Sequence, residues 1–238
     1  MFHKNKSIKI SYYMRILNRK FSPFILSVFA VITATVIICV IAVSCRVNKL
    51  VFKSAFYFVC YRNEDNSVSA GSISGAVSNY GGAGYILEYG DSFYVTVACY
   101  YKENDAKSVC ESLKNRDLNC EVLKIETDEY SVSNSSNEIN ALYAGNLNTL
   151  QSLSTLAYEC ANAIDTGTYG QNQAKSVILN VKSGLNGLLN ANKDNCFSQH
   201  LRRLIAICDE VREDYVYSKD LRKLQIAIAD VIINVKLY

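Results

Sequence analysis

The stretch Tyr85–Tyr100, YILEYGDSFYVTVACY, decides the fold. Both halves are rich in aromatic and β-branched residues, which suit a pleated, half-buried surface. Gly90-Asp91 between them accepts the positive φ of a tight hairpin turn. The stretch therefore predicts two antiparallel strands, Tyr85–Tyr89 and Ser92–Tyr100.

Working outward, ENDAKSVCESLKN follows, with Ala106, Val109, Cys110 and Leu113 on one helical face. CEVLKIE (Cys120–Glu126) then reads as a strand. Upstream, Val68, Ile73, Ala76, Val77 and Tyr80 recur at helical spacing until Gly81-Gly82 and Gly84 stop the helix. AFYFVCY (Ala55–Tyr61) is a further aromatic strand, with RNEDNS as the turn behind it. The expected order is strand, helix, strand, strand, helix, strand. This is an α+β, split βαβ (ferredoxin-like, βαββαβ) arrangement over residues 54–127, with both helices on one face of an antiparallel sheet.

Beyond it, Asp128–Asn137 (DEYSVSNSSN) reads as a polar linker. Residues 138–238 show four amphipathic stretches, and apolar stripes of that width bury a core. Their apolar faces run from Ile139 to Ile164, from Ala174 to Leu188, from Leu201 to Val211 and from Leu221 to Val235. A small all-α helical bundle is expected, with a protein partner as the alternative use of those faces.

At the other end, residues 1–20 form a basic tail and Phe21–Cys45 carries no charge. A helix needs only about 20 residues to cross the hydrocarbon, so a single transmembrane helix is expected. The apolar run exceeds the roughly 7–15 residues of a signal-peptide core. Six cations precede it (Lys4, Lys6, Lys9, Arg15, Arg19, Lys20) and three follow (Arg46, Lys49, Lys53), favouring a cytoplasmic N-terminus and extracytoplasmic C-terminal domains.

The whole chain carries +3, and with six cations in the tail the remainder is mildly acidic. That excludes the clustered basic surface of a nucleic-acid binder. The nine cysteines form no CxxC pair. Seven of them (Cys60, Cys99, Cys110, Cys120, Cys160, Cys196 and Cys208) follow the membrane run and are expected to pack as buried free thiols. With only His3 and His200 present, no His-dependent metal site or Ser-His-Asp triad assembles. No cofactor is expected, and the reading is a protein that is not an enzyme.

Strand alternation divides the side chains into two sets. The more apolar one (Phe56, Phe58, Cys60, Phe93, Val95, Val97, Cys99) is expected to face the helices. The other leaves Tyr57, Val59, Tyr61, Tyr94, Thr96, Ala98 and Tyr100 on an open sheet face. Tyrosine rings stack on sugars while their hydroxyls stay wet.

Phe56–Glu126 resembles a SPOR domain, the peptidoglycan-binding module of cell-division and sporulation proteins. The resemblance lies in YFVCY, the helix ending in Gly81-Gly82-Ala83-Gly84-Tyr85, the strand FYVTVACY, and ENDAKSVCESL with Asp105-Ala106 and Leu113. It implies a membrane-anchored cell-envelope protein whose open face, the seven residues above, binds peptidoglycan glycan strands stripped of stem peptides. The chain departs from the family pattern at Tyr57 and Val59, where Gln and Gly are frequent. It departs again at Ala98, where glycine would admit a ligand close to the backbone. The alternative is a bitopic membrane scaffold whose extracytoplasmic part binds other envelope proteins.

Overall fold

The computed structural model describes residues 48–64, 66–132, 136–212 and 214–237. The expected basic tail and transmembrane helix lie outside the described residues. Among the described residues no helix is long and apolar enough to cross a membrane.

Residues 48–238 form one compact unit. It is an α+β structure, mostly helical, with a four-stranded antiparallel sheet and six helices among the described residues. The elements in order are β1 (Asn48–Glu64), α1 (Ser67–Asn79), β2 (Tyr85–Tyr89), β3 (Ser92–Tyr100), α2 (Glu103–Lys114) and β4 (Glu121–Val132). Four further helices follow: α3 (Asn137–Asp165), α4 (Gln171–Ala191), α5 (Phe197–Glu210) and α6 (Ser218–Asn234). The strands lie in the order β2-β3-β1-β4 and every neighbouring pair is antiparallel.

Local chemistry sets the element boundaries. Asn66 Oδ1 accepts the N–H groups of Val68 and Ser69 and so starts α1. Ser136 caps α3 by accepting from Ile139 N–H. Gly84 ends the α1–β2 connection at φ 60°, and a Cβ there would lie 2.6 Å from Ser74 O, so only glycine fits without strain.

The stretch expected to be a linker is largely strand. Asp128–Val132 completes β4 and pairs with the first part of β1 up to Asn48↔Val132. Its polar residues sit on a sheet edge, where serine and charged side chains face water while Tyr130 and Val132 turn inward and are buried. The helical region is likewise no separate domain. One continuous cluster joins Phe56, Phe58, Leu87 and Ile125 of the sheet to Leu150 of α3 and Leu224 of α6.

The molecule is layered. Helices α1 and α2 cover one sheet face, α3 and α6 cover the other, and α4 and α5 pack outside α3 and α6. Helix α6 occupies the centre, which explains its composition. Leu221, the run Leu224–Ala229, Val231 and Ile232 are all buried, and a helix apolar around most of its circumference belongs inside a core. Its one interior amide serves the sheet: Gln225 Nε2 donates to Cys99 O at 3.0 Å. Ser154 Oγ donates to Gln225 O at 3.3 Å and accepts from Tyr101 OH at 2.7 Å.

Candidate functional site

The seven residues expected on an open face divide between two covered faces. Residues directly opposite in a ladder share a face, so the register assigns each one. Tyr57 pairs with Tyr100 and Val59 with Ala98. Val59, Ala98 and Tyr100 cluster with Ala106 and Cys110 of α2, and Tyr57 packs against them. Tyr61 packs against the cluster that Val95 forms with Ala70 and Val77 of α1. Thr96 pairs with Cys60 and Tyr85, and Tyr94 with Leu87. Cys60, Tyr85 and Leu87 belong to the core shared with the C-terminal helices, so Thr96 and Tyr94 face those helices instead.

Two findings therefore correct the sequence reading. Phe56, Phe58 and Cys60 face α3 and α6, while the Tyr57 set faces α1 and α2, the reverse of the expected assignment. The seven positions also form no open face: Val59 and Thr96 are 0 % exposed, Ala98 and Tyr100 are buried, and Tyr57, Tyr61 and Tyr94 are half-buried. The physical reason for the split is a bulge. Val59 pairs with Ala98 but Cys60 with Thr96, so Val97 is an extra residue in β3. An extra residue reverses the alternation that follows it.

The polar chemistry gathers elsewhere, where β2 meets α5 and α6. Tyr85 opens β2 on the face toward the C-terminal helices. Its hydroxyl donates to Asp230 Oδ2 of α6 and accepts from Arg203 Nη2 of α5 at 2.8 Å. The Arg203 guanidinium lies 5.6 Å from the Tyr85 ring centroid, within cation–π reach, and 3.6 Å from the Asp230 carboxylate. Asn234 Nδ2 donates to Asp230 Oδ1 at 2.7 Å. Burial, then the charge of Asp230, pushes the Tyr85 phenol far above its usual range, so it stays a donor. Burial holds the His200 imidazole below its usual value, leaving it neutral at pH 7 with one donor and one acceptor nitrogen.

His200, Arg203, Asp230 and Asn234 line a groove of about 380 Å³ together with Glu88, Lys236 and the apolar side chains of Ile86 and Val231. Carboxylates, an amide and a guanidinium can hydrogen-bond a ring of hydroxyl groups, and the neighbouring apolar side chains can meet its carbon face. Sequence reasoning gave no site role to His200, Arg203 or Asp230. The signal was present in Asp230, a single acid within the apolar run Ile226–Ile232, where a carboxylate needs a partner.

A second depression lies between α1 and α2. It is small, about 80 Å³, and lined by Tyr61, Val77, Tyr80, Val97, Leu113 and Leu118. Tyr80 beside it is 86 % exposed and Val68 at the other end of α1 is 80 % exposed. Among the described residues no group of three or more His, Cys, Asp and Glu is arranged to hold a metal ion.

Comparison with protein-family models, with curated proteins and with solved structures finds no match for this chain.

Proposed function

We propose that the chain is a membrane-anchored cell-envelope protein that binds peptidoglycan glycan strands, in cell division or sporulation, without catalysing a reaction. The element order and the strand order β2-β3-β1-β4 fit a split βαβ, ferredoxin-like unit, which is the arrangement implied by the SPOR resemblance. The binding surface in this reading moves from the covered sheet to the groove at His200, Arg203 and Asp230. That groove is the observation that carries the proposal, because it joins fixed polar groups to apolar side chains. An N-terminal membrane helix with the folded unit outside the cytoplasm would keep the groove within reach of the wall.

The test is co-sedimentation of the full chain with sacculi stripped of stem peptides. Retention that falls about tenfold (about 1.4 kcal/mol) in His200→Ala, with circular dichroism unchanged, supports the groove. A folded full-length chain that stays in the supernatant sinks the glycan reading.

The second reading is a bitopic scaffold for other envelope proteins. Tyr80 favours it, since a large side chain 86 % exposed at the rim of an apolar cleft offers a partner a place to dock. Crosslinking from position 80 to another envelope protein, together with failure to bind sacculi, would establish this reading instead.

A further inference from the structure

Cys110 and Cys120 are set apart from the other described thiols by where their sulfurs sit. Cys110 lies just before the last turn of α2 and Cys120 immediately before β4. Their Sγ atoms are 2.7 Å apart, and Cys120 Sγ also lies 3.1 Å from Cys110 O. Unbonded carbon atoms settle at roughly 3.5–4.0 Å, and sulfur is larger. Two thiols held this close are crowded, and removing their protons to form a bond relieves the crowding. Both side chains belong to one small cluster with Val59, Ala98, Tyr100 and Ala106, so the packing of α2 on the sheet brings the sulfurs together. The connection between them is short and specified: it turns through Asp117 at φ 60°, and Leu118 N–H returns to Leu113 O at 3.1 Å.

We propose that Cys110 and Cys120 form an intramolecular disulfide that ties the end of α2 to the start of β4. The bond forms by exchange with a disulfide-bearing oxidant. The Cys120 thiolate attacks one sulfur of the donor disulfide and expels one donor thiol. The Cys110 thiolate then attacks the Cys120 sulfur of the mixed disulfide and expels the second. Two protein thiols lose two protons and two electrons, and one donor disulfide becomes two thiols. Burial and the contact with Cys110 push the Cys120 thiol up to about 12, so the closed fold presents little thiolate. Bond formation therefore belongs to folding, or to opening of the turn, and not to the closed native state. The proposal is independent of the glycan reading.

The test uses the purified full chain refolded with oxidised glutathione, then alkylated and digested without reductant. The expected result is a peptide linked through Cys110 and Cys120 and lighter by two hydrogens, with both residues missing from the alkylated pool. Reduction should restore both and lower Tm by about 5–10 °C. A folded chain in which both cysteines remain alkylatable after oxidation overturns the proposal, as does linkage of either to a different cysteine. Peptide mapping of the unmodified chain decides the matter even if a cysteine variant fails to fold. In Cys110→Ser that does fold, Cys120 should stay alkylatable and the redox-dependent Tm shift should vanish. Persistence of that shift would count against the pair.

Discussion

At the residue scale, two positions combine a structural demand with a measurable cost. Gly84 turns at φ 60° with Ser74 O only 2.6 Å from where a Cβ would stand. Ser74 Oγ donates to Gly84 O, so the obstructing backbone is itself held in place. Gly84→Ala should destabilise the protein by about 2 kcal/mol, through both the left-handed backbone and the clash, read from urea unfolding. Gly71→Ala, on α1 with open space around it, is the control and should be neutral or slightly stabilising. Tyr85 makes a different demand. Its hydroxyl is one of the donors to Asp230, whose side chain is mostly buried. Tyr85→Phe keeps the ring and its cation–π contact with Arg203 but removes the donor to Asp230 and the acceptor for Arg203 Nη2. A loss of about 1–3 kcal/mol follows for an under-satisfied buried acceptor. If the loss is below about 0.5 kcal/mol, Arg203 and Asn234 alone suffice for Asp230.

At the element scale, the decisive contact is between β1 and the C-terminal helices. Phe58 is fully buried between the sheet and that layer, whereas Val68 on α1 is almost fully exposed. Phe58→Ala should cost about 3–5 kcal/mol, by lost transfer energy and the cavity left behind, while Val68→Ala should stay within about 0.5 kcal/mol. Similar costs for the two would mean that the sheet is not sandwiched. Much of the element plan was legible in the chain. Strand Ser92–Tyr100 and the Gly90-Asp91 hairpin lie where alternation and turn chemistry put them. Both crossover helices and the four later helices also occur in the expected order. The faces were not legible. Phe56, Phe58 and Cys60 differ too little in polarity from Tyr57, Val59 and Tyr61 to say which set meets which layer. The extra residue Val97 then reverses the alternation within β3, and nothing in FYVTVACY marks a bulge. Asp128–Val132 was misread for a related reason: polar composition reports exposure, and an edge strand is exposed on one side. The groove escaped notice because its parts, Glu88, Arg203 and Asp230, are distant in sequence and meet only through packing.

At the scale of the whole molecule, buried phenols and thiols make stability sensitive to alkali. Burial pushes Tyr130 up to about 12, and it pushes Cys208 up to about 11, helped by the charge of Asp209. Tyr100, Tyr101 and Tyr143 are raised by the same cause. Each group holds its proton in the folded state at a pH where the unfolded chain has released it. The folded state therefore binds more protons, and stability falls as pH rises. The loss begins near the unfolded thiol value of about 8.5 and continues past the unfolded phenol value of about 10. Tyr130 alone accounts for about 2–3 kcal/mol by pH 12. Thermal unfolding should thus show Tm constant near neutrality and declining above about pH 9, and a flat profile to pH 11 would contradict the buried phenols.

The last consequence concerns which piece of the chain can be studied alone. A SPOR-like unit read from sequence as residues 54–127 invites a fragment without the C-terminal helices, but the sheet face toward those helices carries Phe56, Phe58, Leu87 and Ile125, each at most 2 % exposed. Uncovering four such side chains forfeits about 6–12 kcal/mol at roughly 1.5–3 kcal/mol each. That is comparable with the roughly 5–15 kcal/mol that holds a typical domain together. Tyr130 OH would also lose its acceptor, Ile232 O, and Val132 its bridge to Leu237. A fragment of residues 48–132 should therefore bind hydrophobic dyes, lack near-ultraviolet circular dichroism and unfold without a cooperative transition. A monomeric fragment with a sharp unfolding transition would show that the helical layer is dispensable, and would restore the sheet face as a surface open to ligand.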